Sequence, residues 1–295
     1  MLKSTQKSPG RSFKSLISQK TLIVPGVFNA ISALAAHQAG AEALYISGGA
    51  VTNSLLGVPD IALINQLEMA EQCKNICQIT PLPTIADADT GYGEAINLRR
   101  TIIEMENAGL AGVHLEDQIS PKRCGHLDGK TLIPDEQMCE KIRAAKETRK
   151  DSDFQIIART DANGVEGLSR AIERAQRYVR SGADIIFPEG LESKEQFSEF
   201  RKAIDAPLLA NMTEFGKTPI ISASEFSELG YEIVIFPFSA FRVMLKSLCE
   251  TYDELLKTGT QKDLLGKMKT RAELYELLEY EAYNELDRLW AKTNC

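Results

Sequence analysis

The sequence has no long apolar run, no surplus of basic residues and no regular spacing of cysteines. Because no stretch approaches the roughly 18 apolar residues of a transmembrane helix, we expect no membrane span. The formal net charge of -7 over 295 residues disfavours nucleic-acid binding, which depends on clustered Lys and Arg. The six cysteines form neither a disulfide framework nor a zinc site, so we expect a reducing, cytoplasmic compartment.

Acidic residues are missing from the first part of the chain. No Asp or Glu precedes Glu42, and the first 20 residues carry five basic residues and five serines. This composition is typical of a mitochondrial transit peptide. The alternative is a leading helix within residues 1–20, from Ser12 to Ser18, that runs directly into the first strand. We favour the helix because no cleavable spacer separates the two segments.

Short runs rich in Ile, Val and Leu alternate with helical patterns from Leu22 onward. Runs of this kind are typical of parallel strands that are buried on both faces. The predicted strands are Leu22–Pro25, Ala43–Ser47, Thr84–Asp89, Gly112–Glu116, Phe154–Thr160, Asp184–Pro188, Leu208–Thr213 and Glu232–Pro237. The predicted helices between them are Ile31–Ala39, Asn65–Cys77, Ala95–Ala108, Asp135–Lys150, Leu168–Arg180, Lys194–Ile204 and Ala223–Leu229.

Eight strands that alternate with helices predict a (β/α)8 TIM-type barrel formed by one domain over residues 1–295. A doubly wound open sheet is the alternative, but the Pro25–Asn29 segment is not the glycine-rich phosphate turn of that fold. Two more helices, Ala240–Lys257 and Ala272–Trp290, follow the last strand, the second of them in a C-terminal extension over 258–295. The apolar stripe of the last helix predicts packing on a neighbouring subunit or on its own barrel.

Polar residues follow the carboxyl ends of nearly all the predicted strands. In a barrel this edge carries the active site, so we expect these side chains to share one site. The residues are Ser47, Asp87, Asp89, His114, Glu116, Arg159, Glu189, Asn211, Thr213, Ser239 and Arg242.

Asp87 and Asp89 are two positions apart on a predicted strand, which directs both carboxylates to the same face. Two such acids repel each other unless one is protonated or a cation bridges them. With Asp60 and Glu116 nearby, all the ligands would be oxygen atoms, which suits Mg²⁺ or Mn²⁺. His114 is expected to orient a ligand by a hydrogen bond.

The loop from Glu116 to His126 combines acids, bases, a thiol and an imidazole. Cys124 lies between Arg123 and Gly125, and neighbouring cations favour the reactive thiolate form. A solvated basic loop is the alternative interpretation. Several Lys and Arg residues in an acidic protein indicate a small substrate with several carboxylate or phosphate groups. These residues are Lys122, Arg123, Arg159, Arg242 and Arg271.

The Lys122-Arg123-Cys124-Gly125-His126 segment resembles the loop of the isocitrate lyase and phosphoenolpyruvate mutase superfamily, and more narrowly that of 2-methylisocitrate lyases. The resemblance extends over essentially the whole chain, including Asp87–Gly93, His114–Gln118 and Asn211–Gly216. It implies Mg²⁺-dependent cleavage of the tricarboxylate 2-methylisocitrate to succinate and pyruvate, a step of propionate catabolism in the methylcitrate cycle. It also implies a homotetramer whose last helix is swapped between subunits.

The resemblance also implies a role for each matching residue. Asp87 and Asp89 would bind the metal, while Asp60 and Glu116 would reach it through water. Cys124 would act as general acid and Tyr45 as the base. The implied substrate-binding residues are Ser47, Gly48, Gly49, Cys124, Gly125, Arg159, Glu189, Asn211, Thr213, Arg242 and Arg271.

Three alternatives remain open at this point. Isocitrate lyases normally have Lys-Lys-Cys-Gly-His in this loop, and Phe187 with Ile235 would form an apolar wall for the methyl group that isocitrate lacks. Phosphonate-bond enzymes of the phosphoenolpyruvate mutase branch lack the loop cysteine. A non-catalytic barrel would lack some site residues, whereas all of them are present here.

Overall fold

The computed structural model describes residues 8–125, 127 and 129–292. It begins with helix α1 (Pro9–Ile17), whose first turn is capped by Ser8, with Pro9 at the first helical position. Phe13 of this helix is fully buried in the cluster that also contains Leu22 and Ala43 from the first two strand regions. Helix α1 therefore covers the amino-terminal end of the sheet. The rest of the predicted leading helix, residues 1–7, lies outside the described residues.

Eight parallel strands form a TIM-type barrel, which confirms the predicted fold. The strand order is β6-β5-β4-β3-β2-β1-β8-β7. Because β1 pairs with both β2 and β8, the sheet is not the doubly wound alternative. A parallel bridge between Ile186 and Leu208 joins β6 to the start of β7. The strands are β1 (Leu22–Val27), β2 (Leu44–Ile46), β3 (Thr84–Asp87), β4 (Gly112–Glu116), β5 (Gln155–Thr160), β6 (Ile185–Pro188), β7 (Leu209–Asn211) and β8 (Ile233–Phe236).

Helices connect the strands as predicted, and their ends differ from the predicted ones by at most two residues. Two helices were not predicted. The first, α3, begins with Gly48 and Gly49, which have low helix propensity, and the second, α7, has only four residues. The connecting helices are α2 (Ala30–Gln38), α3 (Gly48–Leu56), α4 (Gln66–Ile79), α5 (Ala95–Asn107), α6 (Asp135–Thr148), α7 (Asn163–Glu166), α8 (Leu168–Ser181), α9 (Lys194–Ala203) and α10 (Ala223–Glu228).

The chain divides into two compact units, of which the first ends at Ala240 and the second begins at Phe241. After α11 (Ser239–Thr258), the second unit contains a 3₁₀ helix (Lys262–Lys267), α12 (Arg271–Leu277) and α13 (Tyr280–Lys292). The prediction of one helix over Ala272–Trp290 is wrong, because Glu279 adopts a left-handed conformation with φ of 52° between α12 and α13. No helix in the described part of the chain is long and apolar enough to cross a membrane.

Candidate active site

A cavity of about 50 Å³ lies at the carboxyl ends of the strands, within the first unit. It brings together most of the site residues that the sequence predicts. Arg242 in α11 and Arg271 at the start of α12 belong to the second unit, and their role stays a prediction. The lining residues are Tyr45, Ser47, Gly49, Asp60, Asp87, Lys122, Cys124, Gly125, Arg159, Phe187, Glu189, Asn211, Thr213, Pro237 and Phe238.

The two predicted metal-binding aspartates are held by a tight turn after β3. Asp87 is the last residue of the strand, whereas Asp89 lies beyond it in a left-handed conformation with φ of 47°. The prediction that both residues lie on the strand is therefore wrong. The backbone N–H of Asp89 donates to Asp87 Oδ1 at 2.8 Å, and its carbonyl accepts from Glu116 N at 2.9 Å. The turn thus connects the ends of β3 and β4 and keeps the two acids close.

Asp87, Asp89 and Glu116 are buried together, with side chains that are nearly inaccessible to solvent. Burial raises the pKa of each of the three, that of Asp89 to about 6, and repulsion between neighbouring acids adds to the effect. Lys122 and Arg159 form ion pairs with Asp89 and Glu116, but both carboxylate oxygens of Glu116 and Oδ1 of Asp89 accept no well-aligned hydrogen bond from any described residue. Buried acceptors without donors are costly, and a bound cation would remove that cost.

Lys122 supplies positive charge to this cluster. Its Nζ lies 2.7 Å from Asp60 Oδ1 and 3.0 Å from Asp89 Oδ1. Burial opposes the charge, but the surrounding carboxylates, Asp89 foremost, raise the pKa of Lys122 well above its usual value. Lys122 therefore pairs with the carboxylates of Asp60 and Asp89 in this structure.

The donor set fits a hard divalent cation that keeps part of its water shell. Among the described residues, no three acidic, His or Cys side chains are close enough to enclose an ion by themselves. Mg²⁺ is usually bound by one or two carboxylates and several waters, and the buried acids here offer carboxylates of this kind. The composition of the cluster, oxygen atoms throughout, matches this preference.

Tyr45 and His114 form a buried pair beside the acids. Tyr45 Oη lies 2.8 Å from His114 Nε2, which in turn lies 3.4 Å from Asp87 Oδ1. Burial, with a smaller contribution from Arg159, lowers the pKa of His114 to about 3, so the imidazole is neutral at pH 7. Burial and the charge of Asp87 raise the pKa of Tyr45 well above 10. A role for Tyr45 as base thus requires additional positive charge near its hydroxyl.

Arg159 also lines the cavity, next to Glu116 of the acid cluster. Its Nε and Nη2 donate to Asp161 at 2.9 and 3.1 Å, and its Nη1 lies 3.3 Å from Glu116 and 3.5 Å from Glu189. The guanidinium also lies over the ring of Phe187, 5.2 Å from its centroid. These contacts fix the guanidinium in one orientation.

Glu189, Asn211 and Thr213 form a chain of polar contacts beside Arg159. Asn211 Nδ2 donates to Glu189 Oε2 at 3.1 Å, and Thr213 Oγ1 donates to Asn211 Oδ1 at 2.7 Å. All three residues were predicted to bind substrate, and all three line the cavity. Their mutual contacts preset the direction of each side chain.

The described part of the loop that carries Cys124 lies against the cavity, and we call this position of Cys124 and Gly125 closed. The side-chain amide of Gln118 donates to the carbonyl of Arg123 and accepts from its N–H, both at 2.9 Å. Gly125 is packed so tightly that an added Cβ would lie 2.4 Å from both Arg159 Nη2 and Glu189 Cγ. Cys124 is half-buried and lines the cavity. His126 of the same motif lies outside the described residues.

Several residues at the site were missed by sequence reasoning. Pro237 and Phe238 line the cavity directly after β8, whereas Ile235, predicted as part of the methyl-accepting wall, lies in the barrel interior. An added Cβ on Gly49 would lie 2.7 Å from Phe238 Cζ. The only signal in the sequence was that Phe238 directly precedes Ser239, a polar residue predicted at the site. An aromatic residue at this position is equally typical of a hydrophobic core.

The base of the loop is held by Asp117, which is fully buried. Its carboxylate accepts from Thr160 Oγ1 and Tyr178 Oη at 2.8 Å and from Asp161 N at 2.9 Å. We expect Asp117→Ala to lower the free energy of unfolding by about 3–5 kcal/mol, because three buried donors lose their acceptor. Urea-induced unfolding measures this change. The exposed Asp205→Ala serves as control, and equal effects of the two substitutions would contradict the expectation.

Gly48 allows Asp87 to approach the amino terminus of α3. An added Cβ at this position would lie 2.7 Å from Asp87 Oδ2. We therefore expect Gly48→Ala to displace the carboxylate and to weaken Mn²⁺ binding by about 10-fold or more, as loss of a ligand-orienting contact does. Titration calorimetry measures the affinity. Gly266→Ala, where an added Cβ meets nothing within 4 Å, should bind Mn²⁺ as the unmodified protein does. Unchanged affinity in Gly48→Ala would exclude this contact as a constraint on the metal site.

Comparison with known proteins decides the family. A family model described as phosphoenolpyruvate phosphomutase matches residues 13–256. The 2-methylisocitrate lyase of Aeropyrum pernix is 52% identical over 280 residues, which cover 95% of this chain and 90% of that protein. This chain belongs to the 2-methylisocitrate lyase family. The 2-methylisocitrate lyase of Escherichia coli K12 is 42% identical over 289 residues, 97% of this chain and 98% of its own.

The fold comparison agrees with this family. The crystal structure of 2,3-dimethylmalate lyase, described as a member of the phosphoenolpyruvate mutase and isocitrate lyase superfamily, superimposes with a TM-score of 0.91. It is 34% identical in sequence, and the match covers 96% of each chain. The predicted family resemblance is thus confirmed. Enzymes of this superfamily act on small molecules and generally depend on a divalent metal ion.

Proposed function

We propose that this protein is a 2-methylisocitrate lyase, which cleaves 2-methylisocitrate to succinate and pyruvate in a metal-dependent reaction. The observation that carries this proposal is the convergence of Cys124, Arg159 and the Asp87 cluster on one cavity. A proton donor, a carboxylate-binding cation and a cation-binding acid cluster are the three components that such a cleavage needs. The 52% identity to a relative of that name supports the choice of substrate.

We assign the metal site to Asp87 and Asp89, with Asp60 and Glu116 acting through water. Mg²⁺ is our first choice and Mn²⁺ the alternative, because all four residues offer oxygen atoms. When bound, the cation would polarise the hydroxyl and carboxylate groups of the substrate. The buried oxygens of Glu116 and Asp89 support this assignment, because they accept no well-aligned hydrogen bond from the described residues, although Arg159 and Lys122 lie within ion-pair distance.

The substrate would be held between the amino terminus of α3 and Arg159. Ser47 caps α3 by accepting from Ala50 N, which leaves the first N–H groups of the helix, including those of Gly48 and Gly49, for a substrate carboxylate. Arg159 binds a second carboxylate. Glu189, Asn211, Thr213 and Gly125 complete the pocket. Substrate binding by Arg242 and by Arg271 stays a prediction.

The bond cleavage then requires one base and one acid from the chain. Tyr45, in its phenolate form, takes the proton of the substrate hydroxyl as the bond between C2 and C3 breaks, and the bonding electrons remain on C3. This step yields pyruvate and the aci-carboxylate form of succinate, whose developing charge Arg159 stabilises. Cys124 Sγ then donates a proton to C3 to give succinate. Burial and Asp87 raise the pKa of Tyr45 by more than Arg159 and Lys122 lower it, so formation of the phenolate requires further positive charge near the hydroxyl.

Preference for the methylated substrate would come from an apolar wall. Phe187, Pro237 and Phe238 line the cavity and offer such a surface for the methyl group. One methyl contact discriminates by only about 1–3 kcal/mol, so some cleavage of isocitrate is expected. Isocitrate lyase activity is the second candidate function, and the relative kcat/KM values distinguish the two.

The test of the proposal is an assay of the purified protein with Mg²⁺. Pyruvate should appear with 2-methylisocitrate, and a chelator should abolish its formation. A higher kcat/KM for isocitrate, measured as glyoxylate release, would replace the proposal by isocitrate lyase. If phosphonopyruvate were the only substrate turned over, the protein would instead be a phosphonate-bond enzyme of the phosphoenolpyruvate mutase branch. Absence of every product with metal bound would exclude the proposal altogether.

We further propose that the protein acts in the cytoplasm in propionate catabolism, as a homotetramer that swaps its last helix. In the single chain, Tyr283, Leu289 and Trp290 of α13 are 56%, 61% and 62% exposed. Large apolar side chains exposed at this level on one helix favour burial by another copy. Light scattering coupled to size-exclusion chromatography tests the proposal, and a monomeric mass would contradict it.

A further inference from the structure

We propose that Lys130 is a positioning residue that holds the Cys124 loop closed by joining the carbonyl of Gly125 to Asp161. The inference rests on the proposed function, in which Cys124 is the proton donor. Lys130 lies on the returning arm of the loop, two residues before Leu132, which forms an antiparallel bridge with Gln118. It is not among the cavity-lining residues, so its effect on the reaction must pass through other groups.

The contacts of Lys130 form a bridge between the loop and the barrel. Its Nζ donates to Gly125 O and to Asp161 Oδ1, the latter at 3.1 Å. The side chain is 3% exposed, and its charge is therefore committed to these two partners. Gly125 follows Cys124 directly. A contact that fixes the Gly125 carbonyl therefore also fixes the position of Cys124 at the cavity.

Asp161 connects this bridge to substrate binding. The same carboxylate accepts from Arg159 Nε and Nη2 at 2.9 and 3.1 Å. Although burial favours protonation, Arg159 and Lys130 lower the pKa of Asp161 to about 2, so it is ionised at pH 7. One carboxylate therefore fixes both the substrate-binding guanidinium and the ammonium that holds the loop. The closed loop and the oriented Arg159 share a common anchor.

The packing of Gly125 explains why an anchor is needed. This residue lies directly on Arg159 and Glu189, with no room even for a Cβ. Tight contact of a glycine with a charged pair supplies little apolar attraction, because the glycine has no side chain to bury. A charge-assisted hydrogen bond from Lys130 to its carbonyl supplies the missing attraction. Without it, the loop should open more often.

The variant Lys130→Met removes the bridge and keeps the length of the side chain. We expect Cys124 to react with iodoacetamide about 10-fold faster in this variant, because local opening exposes its thiol. The value of kcat should fall by about 10-fold or more with a smaller change in KM, since the proton donor is misplaced in the bound complex. Lys130→Arg, which keeps the charge and the donors, should recover most of both properties.

The alkylation rate is measured by mass spectrometry of the Cys124 peptide in the full-length protein. The exposed Cys249 is the internal reference, and its rate should not change. Lys202→Met is the matched control, because it removes the charge of an exposed lysine on α9. Its Cys124 alkylation rate and its kcat should equal those of the unmodified protein. If Lys130→Met does not fold, Lys130→Gln, whose shorter and uncharged side chain cannot bridge Gly125 O and Asp161, should still raise the Cys124 rate.

An unchanged Cys124 alkylation rate in the folded Lys130→Met or Lys130→Gln variant would overturn the inference, even if kcat falls. Such a result would mean that Lys130 only neutralises Asp161. The alkylation assay requires no substrate, so it remains informative if the protein proves not to be a lyase. A missing lyase activity would contradict the proposed function, whereas the Cys124 rate tests the loop anchor alone.

Discussion

Replacing Cys124 by Ser should lower kcat by about 10²- to 10⁴-fold, the usual contribution of a general acid, while metal and substrate still bind. The two side chains have nearly the same shape, so the cavity should keep its form. A serine hydroxyl releases its proton far less readily than a thiol, and protonation of the carbanion should become slow. Two hydrogen bonds between the Gln118 side chain and the backbone of Arg123, together with the packing of Gly125, hold Cys124 against the cavity.

Steady-state pyruvate formation measures the effect of Cys124→Ser, and titration calorimetry measures the binding of Mn²⁺ and succinate. Cys249→Ser, at an exposed position of α11, is the matched control and should keep full activity. Normal turnover of Cys124→Ser would refute the role of the thiol as proton donor. If Cys124→Ser lost both succinate binding and turnover, Cys124 would only shape the pocket.

Asp87→Asn should abolish activity and weaken Mn²⁺ binding by more than the roughly 10- to 100-fold that outer partners of a metal site contribute. The amide can no longer offer a charged oxygen to the cation. The metal-free protein, however, should be at least as stable as before. Burial raises the pKa of Asp87, which means that the ionised carboxylate is a cost to the folded state that a neutral amide avoids.

The combination of lost binding and retained stability is the decisive result for Asp87→Asn. Thermal unfolding with and without Mn²⁺ measures both, because a bound ligand raises the unfolding temperature. The unmodified protein should gain stability from Mn²⁺, and the variant should not. Asp205→Asn is the control and should respond to Mn²⁺ as the unmodified protein does. Equal stabilisation of Asp87→Asn by Mn²⁺ would remove Asp87 from the metal site.

The barrel could be predicted because its signals are local. Each strand is a short apolar run between glycines and helical patterns, and the polar residues after the strands follow from the same segmentation. Asp87, Glu116 and Arg159 were placed correctly at one edge because parallel strands bring their carboxyl ends together. The confirmed family resemblance depended on the same segments.

The features that sequence reasoning missed depend on long-range contacts or on single backbone angles. The position of Asp89 beyond β3 results from one left-handed residue, and so does the break at Glu279 between α12 and α13. The charged partners of Lys122 and Lys130 are carboxylates 31 to 62 positions away along the chain, for example Asp161 and Asp60. A sequence pattern shows that these charges exist but not which of them meet.

The pairing of β1 with β8 ties the folding of this protein to the completion of its chain. Leu22 pairs with Ile233 and Pro25 with Phe236, so β1 lacks one neighbour until more than 200 further residues have been synthesised. Contacts of such sequence separation slow folding, and an unpaired strand edge invites association with other chains. Chains that stall before β8 is made should therefore be the species that chaperones retain during synthesis.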